Sequence, residues 1–517
     1  MTQQILRAVT QKVLSVKQFT FASLTLTLFV ACLHLNTCPG FSTTKTSRKK
    51  ISDPAPPKIY NLQPTVPPTP KVHPEVTLHR APASLLPDAI SHDWESFLGP
   101  THNAISSETK LIKSWSANGP PLIWEMNSGS GYSSPAISKG YLVYLHRLEN
   151  REVVECLEPE TGRSFWQFLY PTDYKDRYGY SNGPRATPVI ADGRVYTYGA
   201  NGQLHCLKLD TGQLYWKRDL LREFGVPQDF FGATSTPLIE GNHLIVTLGT
   251  PDGPTVVALE KDTGKLVWGA GTQWGPSYAS PIAATIHGKR RVFVFAGGES
   301  RPPTGGLIVL DPEDGSIDFT FPWRSRSYES VNASSPVVID DSVFLSASYR
   351  TGSVLLRISS NFTPSVVWKT KEVGLHWNTA VHKDGHLYAY DGRNEPDASI
   401  VCLDLKTGKI LWRTTPEWDE IVTYRGTQRT LNVGTLRGSL LWADGSFVAL
   451  GELGHLLRLE LTPTGYKEIA RSWLFSARQT WNLPVLSHGL LYITQNEYSL
   501  FDRKPPRLLC YDLRSQQ

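Results

Sequence analysis

From about residue 94 onward, short apolar runs alternate with polar positions and are cut every few residues by Gly, Asp, Asn or Pro. Period-two alternation in such short runs predicts β-strands joined by tight turns. One unit recurs: a small apolar strand, a turn ending in Thr-Gly, then a strand closing on Trp. It stands as CLEPETGRSFW ending at Trp166, CLKLDTGQLYW at Trp216, ALEKDTGKLVW at Trp268 and CLDLKTGKILW at Trp412. Weaker copies end at Phe319 and Ile469, and SSNFTPSVVW keeps Trp368 but has lost its Gly. The turn glycines Gly162, Gly212, Gly264 and Gly315 are spaced 50, 52 and 51 apart, and Gly408 follows after room for two units. A period of this length is the signature of a repeat architecture.

A second pattern keeps step with the first. Small or polar residues followed by Pro open each unit, as in SSPAI at Pro135, ATPVI at Pro188, STPLI at Pro237, ASPIA at Pro281 and SSPVV at Pro336. WNTAV near Ala380 and WNLPV at Pro484 are looser copies, and a further unit begins near Ser439. Four short strands per unit make one blade, so the chain predicts an all-β, eight-bladed β-propeller of four-stranded antiparallel blades. Only seven outer strands follow the openers. The missing one is assigned to LIWEM around Trp124, so that the strand at about 121–126 pairs with the last blade and closes the ring. Trp124, Trp166, Trp216, Trp268, Trp368 and Trp412 are expected as wedges between blades. Cys156, Cys206 and Cys402 each lie six residues before their turn Gly, with Cys510 at the matching place, so they sit on separate blades and are expected as small buried core residues without disulfides.

The first ninety residues read differently. Arg7, Lys12 and Lys17 precede a mostly apolar run from Phe19 to Leu35, the order of an export signal. Phe29-Val30-Ala31-Cys32 loosely resembles a lipoprotein box, making Cys32 a lipidation candidate, with a cleaved signal or an uncleaved anchor as alternatives. From Ile51 to Ile90 there are ten Pro in forty residues and little apolar periodicity. Such a stretch is expected to stay extended as a spacer and to be removable. The domain reading is therefore 1–38 signal peptide or membrane anchor, 39–92 Pro-rich disordered linker and 93–517 propeller. Residues 1 to 80 hold 10 Lys/Arg against 2 Asp/Glu and the remainder 42 against 45, so the net charge of +5 belongs to the leader. The folded part gives no case for nucleic acid. Charged residues make up 19% and aromatics 11%, which suits a turn-rich globular fold and excludes general disorder.

The TG-x-x-x-W turn on a four-stranded unit resembles the pyrroloquinoline-quinone (PQQ) repeat, or quinoprotein alcohol dehydrogenase-like, β-propeller family over roughly residues 94 to 517. The stretch from DWESFLGP through GPPLIWEMNSGSGYSSPAI resembles the opening of exported planctomycete-type PQQ-like propellers, and BamB-like scaffolds of outer-membrane protein assembly share the fold. Fold does not choose among these functions.

Residues just before each opener should line one mouth of the central channel. They are Tyr132, Arg185, Phe231, Tyr278, Asn332, His376, Trp377, Asn378, Arg437, Trp481 and Asn482. An aromatic funnel of this kind could stack a planar anion, with Arg185 or Arg437 pairing its carboxylates. The same residues could equally plug the channel. A quinoprotein dehydrogenase would hold PQQ beside Ca²⁺ and use an Asp base, yet acids close before the openers are few, Glu329 being the one singled out. Asp173, Asp176 and Asp229 could enter only from longer loops. No adjacent Cys pair, Cys-x-x-Cys-His, HExxH or phosphate-binding loop is present.

The leading reading of the sequence is therefore an exported, envelope-tethered, monomeric scaffold with a non-catalytic role, the question of an enzyme staying open. Its partner is an envelope protein or polymer, and it touches membrane only through the N-terminal segment. No cofactor is expected. The alternatives are a PQQ- and Ca²⁺-dependent alcohol or sugar dehydrogenase, and a small-ligand or glycan sensor using Trp377 and Trp481. KRRVF, from Lys289 to Phe293, is expected to be a solvated turn, and the stretch from Thr415 to Thr435 is given no role.

Overall fold

Repeats of strand and tight turn cannot bury their apolar faces singly, so they stack. In the computed structural model, which describes residues 51–250, 252–393 and 398–515, they form eight antiparallel blades. Blade one runs through Ala136–Ser138, Tyr141–Leu148, Arg151–Leu157 and Ser164–Pro171, and the next six blades repeat this order. Blade eight is composite: Val485–Ser487, Leu490–Gln495 and Arg507–Asp512 are followed at the rim by Leu122–Asn127, with Cys510 opposite Trp124. The ring is closed as expected, with the closing strand one residue later than read. The export segment and Cys32 lie outside the described residues.

The opener residues sit around the axis because their hydroxyls tie one blade to the next. Thr187 N–H donates to Thr236 Oγ1 (3.0 Å), Thr236 N–H to Ser280 Oγ (3.0 Å), and Ser335 Oγ–H to the Ser280 carbonyl (3.0 Å). Farther out, each blade carries a register shift between its third and fourth strands, as at Cys156/Leu157, Cys206/Leu207 and Cys510/Tyr511. In several blades a small residue precedes the shift and faces the Trp, as Cys156 does Trp166 and Cys402 does Trp412, while in blade five Leu355 faces Trp368. The four described cysteines are buried, unpaired and on four different blades.

Each Trp then belongs as much to the next blade as to its own. The indole N–H of Trp124 donates to the Pro159 carbonyl (2.9 Å), Trp166 to Leu209 (2.8 Å), Trp216 to Lys261 (3.0 Å), Trp268 to Pro312 (3.0 Å), Trp368 to Leu405 (2.8 Å) and Trp412 to Thr462 (2.7 Å). The turn glycine of the next blade covers the ring: a Cβ on Gly212 would stand 2.6 Å from Trp166, and on Gly408 2.4 Å from Trp368. Gly162 and Gly264 lie likewise over Trp124 and Trp216. These glycines also have φ near +70°, which side-chain-bearing residues rarely adopt. Two junctions lack the indole bond. Phe319 has no donor, and in blade seven Ala470, not Ile469, takes the Trp position opposite Arg458. Arg458 is fully buried and donates to the Ala443 carbonyl (3.1 Å) on the innermost strand of its own blade.

The stretch 51–92 corrects the expectation of a detached spacer. It runs as a strap along the rim. Asp53 accepts from Leu266 N–H (3.0 Å) of blade three and pairs with Arg218 (2.5 Å) of blade two. Lys58–Ile59 then pairs with Trp216 and Lys217, Lys71 with Ser164 of blade one, and Val76–Leu78 with Trp124–Met126 of blade eight. His73 reaches buried Glu155 (3.6 Å). Extended Pro-rich chain makes no hydrogen bonds within itself, so an unpaired strand edge is a natural partner for it. Two smaller readings also change. Lys289 opens the strand Lys289–Ala296 and is not in a solvated turn. Thr415–Thr435 contains a hairpin of Glu417–Tyr424 and Thr427–Gly434, anchored where Trp418 meets Arg471 (4.1 Å) and His455 (5.0 Å). No helix among the described residues is long and apolar enough to cross a membrane.

Candidate functional site

The central channel is filled from both ends by the chain itself. From the far side, Trp94 exchanges two backbone hydrogen bonds with Ile137 (2.9 and 2.8 Å), the Glu95 carbonyl accepts from Ile190 N–H (2.9 Å), and the Ala104 carbonyl from Trp442 N–H (3.0 Å). Segment 94–104 thereby caps the first strands of blades one, two and seven. Gly99 has φ +78° and a Cβ there would strike the Trp94 ring at 2.8 Å, which accounts for the glycine in DWESFLGP. Phe97 and Leu98 border cavities shared with Thr236 and Ser280 on one side and Trp377, Asn378 and Trp481 on the other. The second cavity holds only about 20 Å³, room for about one water.

The opposite mouth is where the opener-preceding residues meet. Tyr132 stacks on Trp481 with centroids 5.1 Å apart and planes 22° apart, and Trp377 lies 6.0 Å from Trp481. Tyr180 bridges Trp481 (5.5 Å) to Phe231 (6.0 Å), which packs edge-on to Tyr278 (5.4 Å). The Tyr278 hydroxyl accepts from Phe230 N–H (3.1 Å). Tyr178 and Tyr180, which the opener pattern did not point to, are 47% and 40% exposed and form the outer lip. The three amides serve the loops. Asn332 donates to the Ala296 carbonyl (2.9 Å), Asn378 to Tyr390 (2.9 Å) and Asn482 to Ser133 (2.7 Å).

Charge at the mouth is largely matched inside the chain. Arg185 pairs with Asp176 (2.7 Å), whose side chain is fully buried, and lies over the rings of Tyr132 and Tyr174 (5.5 Å each). Arg437 grips Glu452 through Nε (2.8 Å) and Nη2, while Trp481 Nε1–H donates to the same carboxylate (2.7 Å). Arg177 pairs with Glu299 (2.7 Å). Burial, with Glu299 close by, pushes the Asp229 carboxyl up to about 7. Burial and the Arg437 and Arg393 charges hold His376 down to about 3, so its imidazole is neutral and meets only the Tyr349 hydroxyl (3.3 Å). Glu329 is exposed and bonded to Ser327 (2.8 Å).

These residues do not fit a planar tricarboxylate beside Ca²⁺. Both expected guanidiniums already hold carboxylates, and Tyr132 is itself stacked on the Trp481 indole. Among the described residues no group of three or more His, Cys, Asp or Glu side chains is placed to hold a metal ion. Sequence reasoning missed Glu452 because it looked only just before the openers, whereas Glu452 follows the strand Ser446–Gly451. The turn GELG marks the place, with no motif to flag its acid.

Residues 149–414, just over half of the chain, match the family model described as outer membrane protein assembly factor BamB. The dehydrogenase subunit of the quinone-type alcohol dehydrogenase of Gluconacetobacter polyoxogenes is 27% identical over 267 residues, which cover 46% of this chain and 34% of that relative. The match thus spans about a third of that protein's length. Among solved structures, BamB from Moraxella catarrhalis superposes with a TM-score of 0.51 at 15% identity, over 76% of this chain and 100% of that one. The quinohemoprotein alcohol dehydrogenase from Comamonas testosteroni gives 0.56 at 12% identity, over 82% and 81%. At such identities structural likeness establishes the fold alone.

Proposed function

The chain belongs to the BamB family of PQQ-repeat propellers, and from that premise we propose that it is an exported, non-catalytic scaffold of the cell envelope. Its partner is a protein or polymer held on its loops and rim. The observation that carries this reading is the filled channel. Phe97 and Leu98 close one end, and the mouth is packed with aromatic rings whose arginines are matched by Asp176 and Glu452. A ring that spends its concavity on its own side chains has its outer surfaces left for binding. An envelope location accords with the outer-membrane role printed for the family.

A second reading, a quinoprotein dehydrogenase, is favoured by the identity to a quinone-type alcohol dehydrogenase subunit over nearly half of the chain. The two part on a titration of the purified protein with PQQ and Ca²⁺, followed by absorbance, melting temperature and alcohol-dependent dye reduction. The scaffold reading expects no saturable absorbance change and an unshifted melt. A saturable melting shift with dye reduction would overturn it and make the mouth an active site. Binding without turnover would favour a ligand sensor.

A further inference from the structure

On each blade that it touches, the strap uses one of two neighbouring backbone positions. Counted from the rim Trp, the residue one before it offers a carbonyl: Tyr215 accepts from Tyr60 N–H (2.8 Å) and Ile123 from His79 N–H (2.8 Å). The residue two before it offers an N–H: Ser164 to the Lys71 carbonyl (2.8 Å) and Leu266 to Asp53 (3.0 Å). In blade five these positions fall on Val367 and Val366, in the rim strand Pro364–Thr370. No part of the described strap reaches them. Val366 and Val367 are 46% and 41% exposed, whereas Ile123, at the Val367 position of strapped blade eight, is fully buried.

We propose that the rim strand of blade five is a docking edge for an extended acidic segment of a partner protein, which adds to it as an antiparallel fifth strand. The chain itself shows the mode, since its own extended, proline-bearing segment pairs antiparallel with the rims of blades two and eight. Charge sets the partner's sign. Lys369 and Lys371 stand exposed at the end of the blade-five strand, and Lys406 and Lys409 flank the Gly408 turn that lies over Trp368; Glu372 is the exposed acid among them. The other rims of the unstrapped arc serve less well. In blade four every strand residue but Pro322 is at least partly covered, the blade-six strand is short, and the Trp418 hairpin abuts blade seven. An added strand would cover the exposed valines and satisfy an edge that otherwise invites non-specific pairing.

The partner in this proposal rests on the scaffold reading, while the edge is a property of the ring. The test is fluorescence anisotropy of a labelled peptide, in which valine alternates with glutamate between terminal prolines, titrated with the full chain, together with amide hydrogen exchange. Saturable binding and slowed exchange at Val366 are expected. Val366→Pro, which deletes the donor, should abolish binding. Should that variant fail to fold, Lys369→Glu with Lys409→Glu should weaken binding at least about tenfold and favour the lysine version of the peptide. Binding unchanged in these variants, or protection on another rim strand, would overturn the proposal. So would slowed exchange at Val366 on raising protein concentration without peptide, which would assign the edge to a second copy. PQQ turnover would instead retire the scaffold reading and leave exchange at Val366 as it was.

Discussion

Among the described residues the strap lies on the rims of blades eight, one, two and three and not on those of four to seven, although all eight share one repeat. The same Trp turn therefore sits in two environments. Trp216 and Trp124, beneath the strap, are fully buried, while Trp368 is only partly covered. Val267 marks the boundary: on blade three, where Asp53 touches the edge, it is still 47% exposed. The lesson is that a propeller closes its edges in two steps. Ring closure removes the edges between its ends, and the strap covers half of those that remain at the rim.

Deleting residues through Asn127 should have the largest effect. It removes strap, plug and the rim strand of blade eight, and should abolish cooperative unfolding by calorimetry, a loss of roughly the whole 5–15 kcal/mol that holds a domain together. Deleting only 51–80 should leave a folded ring that melts several degrees lower, with exchange at Ser164 and Leu266, whose N–H groups donate to the strap, rising to the level of Val366. If the shorter deletion leaves the melt unchanged, the strap is not a structural part of the ring.

Within the ring, Trp216→Ala should cost about 3–5 kcal/mol in denaturant unfolding and Trp368→Ala visibly less, since only the first ring is buried beneath added chain. Equal losses would show that the strap adds nothing to the indole's environment. Next comes Asp53→Ala. The Arg218 side chain is fully buried and would keep Glu223 (2.7 Å) but lose the strap's carboxylate, at about 1–3 kcal/mol. Limited proteolysis of the strap should follow the same order.

The smallest effect should appear in acid. Burial alone would raise the Glu155 carboxyl, but hydrogen bonds from His146 and His73 outweigh it and hold it at about 2. A carboxyl held below its unfolded value of 4.5 contributes stability above that pH and loses it as pH falls toward 2. Because His73 belongs to the strap, acid in that window should loosen the strapped half, and Glu155→Gln should flatten the slope by about 1–2 kcal/mol. His376, held at about 3 by burial and the Arg437 and Arg393 charges, acts on the other half. Unfolded, it takes a proton near 6.5, so acidification from there downward favours unfolding, and His376→Gln should remove that part of the pH dependence.

The ring was legible in the sequence because its logic is local. A Thr-Gly turn, a Trp after three residues and a hydroxyl before Pro each act within a few positions, and the spare strand at Trp124 followed from counting. The strap was not, because its partners are main-chain atoms. Composition that forbids a core says nothing about pairing with someone else's edge. At the mouth, the residues before the openers located Tyr132, Arg185, Tyr278, Trp377, Arg437 and Trp481, but not their charge balance. Asp176 and Glu452 reach their arginines from loops that no periodic pattern marks. Blade seven hid its pairing of Arg458 with Ala470 for a related reason: a swap of large and small across two strands leaves each strand looking ordinary.

The indole bonds all run one way round the ring, from each blade to its successor. For a chain delivered end first, this makes the order of arrival matter. The rim strand that completes blade eight arrives before any blade exists, and Trp166 has no acceptor until Leu209 follows it out. Through most of the ring, a newly made blade therefore waits on the next. The last strand to appear, Arg507–Asp512, lies against one of the first, so no unfinished length of chain offers a finished edge, and the ring becomes whole in a single late event.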